Sequence, residues 1–270
     1  MTSRVQMSLA ALVACACLPM STVATAGSTL TIGALLATSA TLAQALPAQA
    51  NTSAIVTPSL APNRLGAKAA LSVTISFKAA NGDVPAALRR SLVHLPAGLN
   101  LDIPSLRSCT AARLRAHGPG GCPPQSQIGR GRALVQARAG SQLVSEHVTM
   151  WVFLGPLRGS DPTVVILARG YTPFDKKIVL TGRELPDQAP YGDKLLLGIP
   201  PIHTLRGEPD ASIVSFSLTL GAAARRGAHT TATSVIVPSH CPPGGFPFAA
   251  EFTYADGSAS SALTTSPCPQ

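Results

Sequence analysis

From Leu71 to Phe77 every second residue is apolar: Leu71, Val73, Ile75 and Phe77 alternate with Ser72, Thr74 and Ser76. The same pattern returns at 214–220, where Val214, Phe216, Leu218 and Leu220 alternate with Ser215, Ser217 and Thr219. A side-chain period of two belongs to a strand with one buried and one wet face, whereas a helix buries residues three and four apart. Residues 89–95 and the apolar runs at 133–137, 148–154, 164–168, 178–181, 195–199 and 235–237 read as further strands. The breaks between them are turn-rich: Gly155-Pro156, Ser160-Asp161-Pro162, Thr172-Pro173-Phe174-Asp175, Pro186-Asp187, Pro200-Pro201 and Glu208-Pro209-Asp210. Short strands at this spacing predict an all-β fold, an antiparallel β-sandwich of immunoglobulin-like or jelly-roll-like type. Strands do not alternate with helices, which disfavours dinucleotide-binding and α/β-hydrolase folds.

One stretch departs from the pattern. Between Leu95 and Leu134 the chain reads Leu-Pro-Ala-Gly-Leu, then Ser108-Cys109-Thr110, then Gly120-Gly121-Cys122-Pro123-Pro124 and Gly129-Arg130-Gly131-Arg132-Ala133. A short helix over 109–117 is predicted, capped by Ser108 or Thr110, with Arg113, Arg115 and His117 near its negative end and Gly118-Pro119 stopping it. About eight residues of helix span only about 12 Å, so the following turn can return Cys122 to Cys109. At the other end of the chain Phe246, Phe248, Ala250, Phe252 and Tyr254 share one strand face, and Asp256-Gly257 signals a two-residue hairpin turn that pairs 255 with 258. Cys241 and Cys268 then flank the base of that hairpin.

The first fifty residues contain two apolar runs, 5–18 and 30–46, and no acidic residue. Arg4 precedes the first run, and Ala48-Gln49-Ala50 after the second has the form of a cleavage site. The expectation is an exported chain with a leader over 1–50, cut after Ala50 (second choice, after Ala26), and a single β-sandwich domain over 51–270. Leu12-Val13-Ala14-Cys15 also has the form of a lipobox, so a lipid on Cys15 is the rival reading. The second run is short of the roughly 20 apolar residues of a membrane-spanning helix and contains Thr, Ser and Gln, which disfavours a retained one. After the leader four cysteines remain, an even number that suits disulfides in an oxidising compartment. Four cysteines allow three connectivities, and spacing favours Cys109–Cys122 with Cys241–Cys268.

The clamped stretch, Tyr171-Thr172-Pro173, Ala189-Pro190-Tyr191-Gly192, Pro209-Asp210-Ala211-Ser212 and the closing Cys-Pro-Pro-Gly-Gly-Phe-Pro-Phe with Tyr-Ala-Asp-Gly and Pro-Cys-Pro together resemble an uncharacterised group of exported β-rich proteins of high-GC, actinobacterial-type bacteria. The resemblance covers nearly all of 55–269. It implies export and a β-rich fold and brings no activity or catalytic residue with it.

Signatures of chemistry are missing. No G-x-S-x-G, H-E-x-x-H, P-loop or G-x-G-x-x-G occurs, and no C-x-x-C or paired histidines with zinc-ligand spacing. No catalytic, cofactor-binding or metal-binding residue is assigned, and no cofactor is expected. His94, His117, His147, His203, His229 and His240 are dispersed, and the aspartates at 83, 102, 161, 175, 187, 193, 210 and 256 fall mostly where turns already call for them. Sugar binding needs aromatic platforms; Trp151 sits in an apolar run, leaving Tyr171 and Tyr191 as the ring candidates. Basic and aromatic residues are not interleaved as single-stranded nucleic acid requires. The formal charge of +9, of which Arg4 supplies one unit, favours an anionic partner such as an envelope polymer, with dense spots at Arg89-Arg90, Arg113/Arg115, Arg130/Arg132 and Arg225-Arg226. The expected function is therefore non-catalytic: binding or scaffolding at the cell envelope. A hydrolase with a loop-borne site and a polyanion binder are the alternatives. A cleft joining His to Asp would favour the hydrolase, and one face gathering Arg89, Arg90, Arg225 and Arg226 would favour the polyanion binder.

Overall fold

The structure is a computed structural model describing residues 51–102, 107–204, 206–221, 224–226, 229–231 and 234–269, with 224–234 described in backbone only. The leader, both cleavage sites and Cys15 lie outside the described residues. Those described belong to one compact unit, Ala45–Gln270. Its elements begin with β1 (Thr52–Ala61), β2 (Lys68–Ala79), β3 (Leu88–Pro96) and β4 (Asn100–Asp102), followed by the helix α1 (Ala111–His117). A meander comes next: β5 (Gln127–Ala139), β6 (Gln142–Leu154), β7 (Thr163–Gly170), β8 (Lys177–Pro186) and β9 (Tyr191–Gly198). The chain closes with β10 (Ser212–Leu220), β11 (Ala224–Arg226), β12 (His229–Thr231), β13 (Ser234–Ile236), β14 (Phe246–Tyr254) and β15 (Ala259–Ser266).

β-rich character, antiparallel pairing and the one α-helix among the described residues are as the sequence implied. The sandwich is not. Hydrogen bonding runs unbroken through β15-β14-β3-β9-β8-β7-β6-β5-β10-β2, and β2 also pairs with β1 and, through β13, leads to β4. One thirteen-stranded sheet stands where two stacked sheets were expected, and β11 and β12 form a separate two-stranded ribbon. Each neighbour in a twisted sheet is rotated by roughly 20–25°, so so many strands curl. The curl can be seen in the aromatic contacts. Phe77 on β2 packs edge-on against Phe252 on β14, ring centres 4.9 Å apart, although seven strands separate β2 from β14 along the hydrogen-bonded path. Tyr254 on β14 and Phe216 on β10 also lie against Phe77, at 6.4 and 6.3 Å.

The inner face of the curl holds the main core: Val56, Ile75, Phe77, Val93, Met150, Val152, Ile166, Leu197 and Phe252 come from seven strands and meet in one cluster. A second cluster, Leu60, Leu71, Leu99, Val235, Val237, Phe246 and Phe248, abuts it, with Cys268 packed alongside. On the outer face of β2 and β10 the polar residues of the alternating strands face each other; Ser72 hydrogen-bonds Thr219 at 2.9 Å and Thr74 bonds Ser217 at 3.1 Å.

Helix α1 covers the outer face of β6–β8. Leu114, fully buried, fits among Phe153, Val165, Leu167 and Val179, with Trp151 at the margin. Thr110 is the cap, its Oγ1 accepting from the Arg113 amide at 3.2 Å, and Gly118 (φ 63°) ends the helix. Lys177 donates to the Arg115 carbonyl at 2.6 Å, neutralising the negative end. Both disulfides form in the favoured connectivity, Cys109–Cys122 with Cα atoms 5.4 Å apart and Cys241–Cys268 with 6.0 Å.

Two register expectations are corrected. The C-terminal turn has three residues: the Tyr254 amide donates to the Ser258 carbonyl at 2.9 Å, so 254 faces 258. A two-residue type I′ turn needs two residues at positive φ; only Gly257 (φ 80°) has it, and Asp256 caps the turn by accepting from the Ser258 amide and hydroxyl. Moving the pairing by one residue swaps the faces of β15, which leaves Leu263 outward and 79% exposed. On β10 a bulge falls between Ile213 and Ser215. Ile213 therefore joins Phe216 and Leu218 in the core, and Val214 leaves the face the alternation gave it.

Candidate functional site

Two of the sequence's paired arginines are gathered in a cleft. Arg89 and Arg90 on β3, Arg158 in the β6–β7 loop and Arg183 on β8 line a cavity of about 740 Å³, with Thr163, Thr181 and Gly198. The loop is held by its own turn, in which the Arg158 and Asp161 backbones bond each other at 3.0 and 3.3 Å. Asp161 receives Arg183 through both Nε and Nη2, at 2.8 and 2.5 Å. Asp210 receives Arg89, and its other oxygen lies 2.6 Å from His203 Nδ1. Against the four guanidiniums stand two paired carboxylates, which leaves two positive charges, at Arg90 and Arg158. Arg89 also keeps a buried Nη1 with no partner among the described residues. At Gly198 a Cβ would meet open space, so the cleft reaches the β9 backbone. Side chains of Arg225 and Arg226 lie outside the described residues; Arg130 and Arg132 point outward from β5, away from this cleft's lining.

A second cavity, about 90 Å³, lies inside the curl. Its walls include Met150, Ile166, Leu197, Phe174 and Ile202. Glu146, 4% exposed, faces it from β6. Burial pushes this carboxyl above the usual carboxylate range, and hydrogen bonds from the Phe174 and Thr172 amides only partly offset the shift. Glu184 on β8 is likewise raised by burial, with Asp193 adding repulsion, and lines a separate cavity of about 60 Å³. Neither acid stands out in the sequence as a candidate site residue. A signal was present: Glu146 precedes Val148, Met150 and Val152 at steps of two, and Glu184 follows Leu180 and Gly182 in the same way, which sets each on an inward face.

The structure does bring histidine to aspartate. His94 Nδ1 lies 2.5 Å from Asp187 Oδ2, and Lys194 Nζ lies 3.2 Å from Oδ1 of the same carboxylate. Burial raises the Asp187 carboxyl, but His94, the Gln188 amide and Lys194 outweigh it and hold the group below its ordinary value. The other nitrogen of His94 faces Glu251 Oε1 at 3.5 Å, where an Asp–His dyad serving catalysis would present a hydroxyl or thiol. This cluster ties β3, β9 and β14 together. Of the candidate rings, Tyr171 is 55% exposed and carries the Arg169 guanidinium 4.7 Å above it, while Tyr191 lies 5.1 Å from the His94 ring. No group of residues able to hold a metal ion occurs among the described residues, and no described helix is long and apolar enough to cross a membrane.

Comparison with known proteins returned no matching family model, no matching curated protein and no matching solved structure.

Proposed function

We propose that the chain is an exported, non-catalytic binding protein that holds an anionic polymer of the cell envelope in the arginine cleft. The observation that carries this reading is the convergence of Arg89, Arg90, Arg158 and Arg183 from three separate chain segments on one cleft with two charges left over. Guanidinium groups present planar, forked donors that suit phosphate and carboxylate oxygens. Export is supported by the leader-like first fifty residues and by two disulfides, which persist in oxidising compartments; the resemblance to exported proteins of high-GC bacteria points the same way. A hydrolase is less well supported, because Glu251 lies on the open side of the one buried His–Asp pair among the described residues.

The test is retention on polyphosphate resin against uncharged dextran resin across a salt series. Retention should weaken as ionic strength passes about 0.15 M, where the Debye length is about 8 Å. Arg90→Glu with Arg158→Glu should abolish retention, while Arg130→Glu with Arg132→Glu, an equal change in charge on exposed β5 positions, should leave most of it. Equal losses from the two pairs would mean diffuse attraction and refute the cleft.

A further inference from the structure

We propose that the interior cavity beside Glu146 is a second binding site, for one small aliphatic molecule bearing a terminal amine or hydroxyl. The head group would donate to the Glu146 carboxyl and the carbon chain would lie against Met150, Ile166 and Leu197.

Three polar atoms at this cavity have no partner among the described residues: Glu146 Oε1, Ser91 Oγ and Thr204 Oγ1. Glu146 and Ser91 are 4% and 1% exposed. Buried polar groups in folded proteins are as a rule hydrogen-bonded, so three orphans on one cavity point to an occupant. Water alone suits only part of the space. A buried water needs two to four polar partners, and the walls at Met150, Ile166, Leu180 and Leu197 offer none. A molecule with one polar end and an apolar body satisfies both regions. The volume limits it: an apolar cavity of about 150 Å³ accepts benzene, so about 90 Å³ suits roughly four or five carbons.

The carboxyl is also given its place by the backbone. A Cβ on Gly170 would run into the Glu146 carboxyl, so the glycine ending β7 makes room for it. Beyond Gly170 the loop turns back, its Phe174 packing with Val135, Ala137, Ala211 and Ile202 to roof the cavity. No described arginine or lysine pairs with Glu146, unlike Asp161, Asp187 and Asp210. An ammonium or hydroxyl donor would supply the missing partner.

The purified chain, with its methionine and isoleucine methyls labelled, would be titrated by NMR with n-butylamine, 1-butanol and n-pentane. The amine and the alcohol should shift the Met150 and Ile166 methyls and bind at least tenfold more tightly than pentane. Glu146→Gln should erase the amine's advantage while pentane binding stays. Gly170→Ala, which displaces the carboxyl without removing it, should weaken the amine in the same direction, and Ala168→Met should block all three probes by filling the space. Pentane binding as tightly as butylamine, an unchanged preference in Glu146→Gln, or no methyl shift with any probe would overturn the proposal. The cleft is unaffected by any of these results, since none of the substituted residues lines it.

Discussion

Replacing Cys241 and Cys268 together by serine removes the cross-link that closes the last two long strands. The cysteines lie 27 residues apart in sequence. In the chain-entropy relation a closed loop of that length is worth about 3.5 kcal/mol at 25 °C, through the freedom it removes from the unfolded chain. Packing adds to this in the same direction, because Cys268 lies against the cluster of Phe246, Phe248 and Val237, and a serine there brings a hydroxyl to an apolar boundary. For a chain of this size each kcal/mol shifts the melting temperature by roughly 2–4 °C, so the double variant should melt about 7–14 °C lower. Circular dichroism melts and urea titrations of the oxidised parent and the variant provide the assay. β14 supplies Phe248, Phe252 and Tyr254 to the interior, so strand signal and core fluorescence should be lost together in one transition. A loss below about 1 kcal/mol would refute the reasoning, for it would mean that the unfolded chain already keeps these ends together.

Leu114→Ala should cost about 2–5 kcal/mol, since the side chain is fully buried under α1. Hydrogen exchange should show the loss concentrated at α1 and the outer face of β7 and β8; loss spread evenly over the sheet would contradict the role of a local cover. The pH dependence should carry two opposite limbs. Asp187 is depressed in the fold, so its stabilisation is present above its unfolded value of about 3.8 and is lost as pH falls through the folded value; Asp187→Asn should flatten that acid limb in urea titrations. Glu146 is raised, so the folded state binds the extra proton and stability falls as pH rises from about 4.5 through the folded value. Glu146→Gln should therefore be the more stable protein at pH 7, and a less stable one would show that the carboxylate is already satisfied.

The alternation at 71–77 and 216–220 was enough to establish strand and which side chains face inward, because the pleat imposes its period on each strand without help from the rest of the chain; at Val214 the bulge beside Ile213 broke that period. The capped helix and both disulfides were legible for a related reason: each depends on residues within about thirty positions of one another. β1 was missed because its inward residues Thr52, Ala54, Val56, Pro58 and Leu60 include small, polar and cyclic members that blur the period. Pro58 is tolerated there because β1 pairs on one side only, with β2. Sandwich and curled sheet share the same inward and outward code, so nothing in it could say that β9 returns to β3 or that β10 pairs with β5. The arginine cleft depends on those choices, since they bring β3, the β6–β7 loop and β8 together. The alternation within a strand is its own, but register and the choice of neighbouring strand are settled only when the whole sheet curls to bury Phe77 against Phe252, and that energy belongs to no single segment.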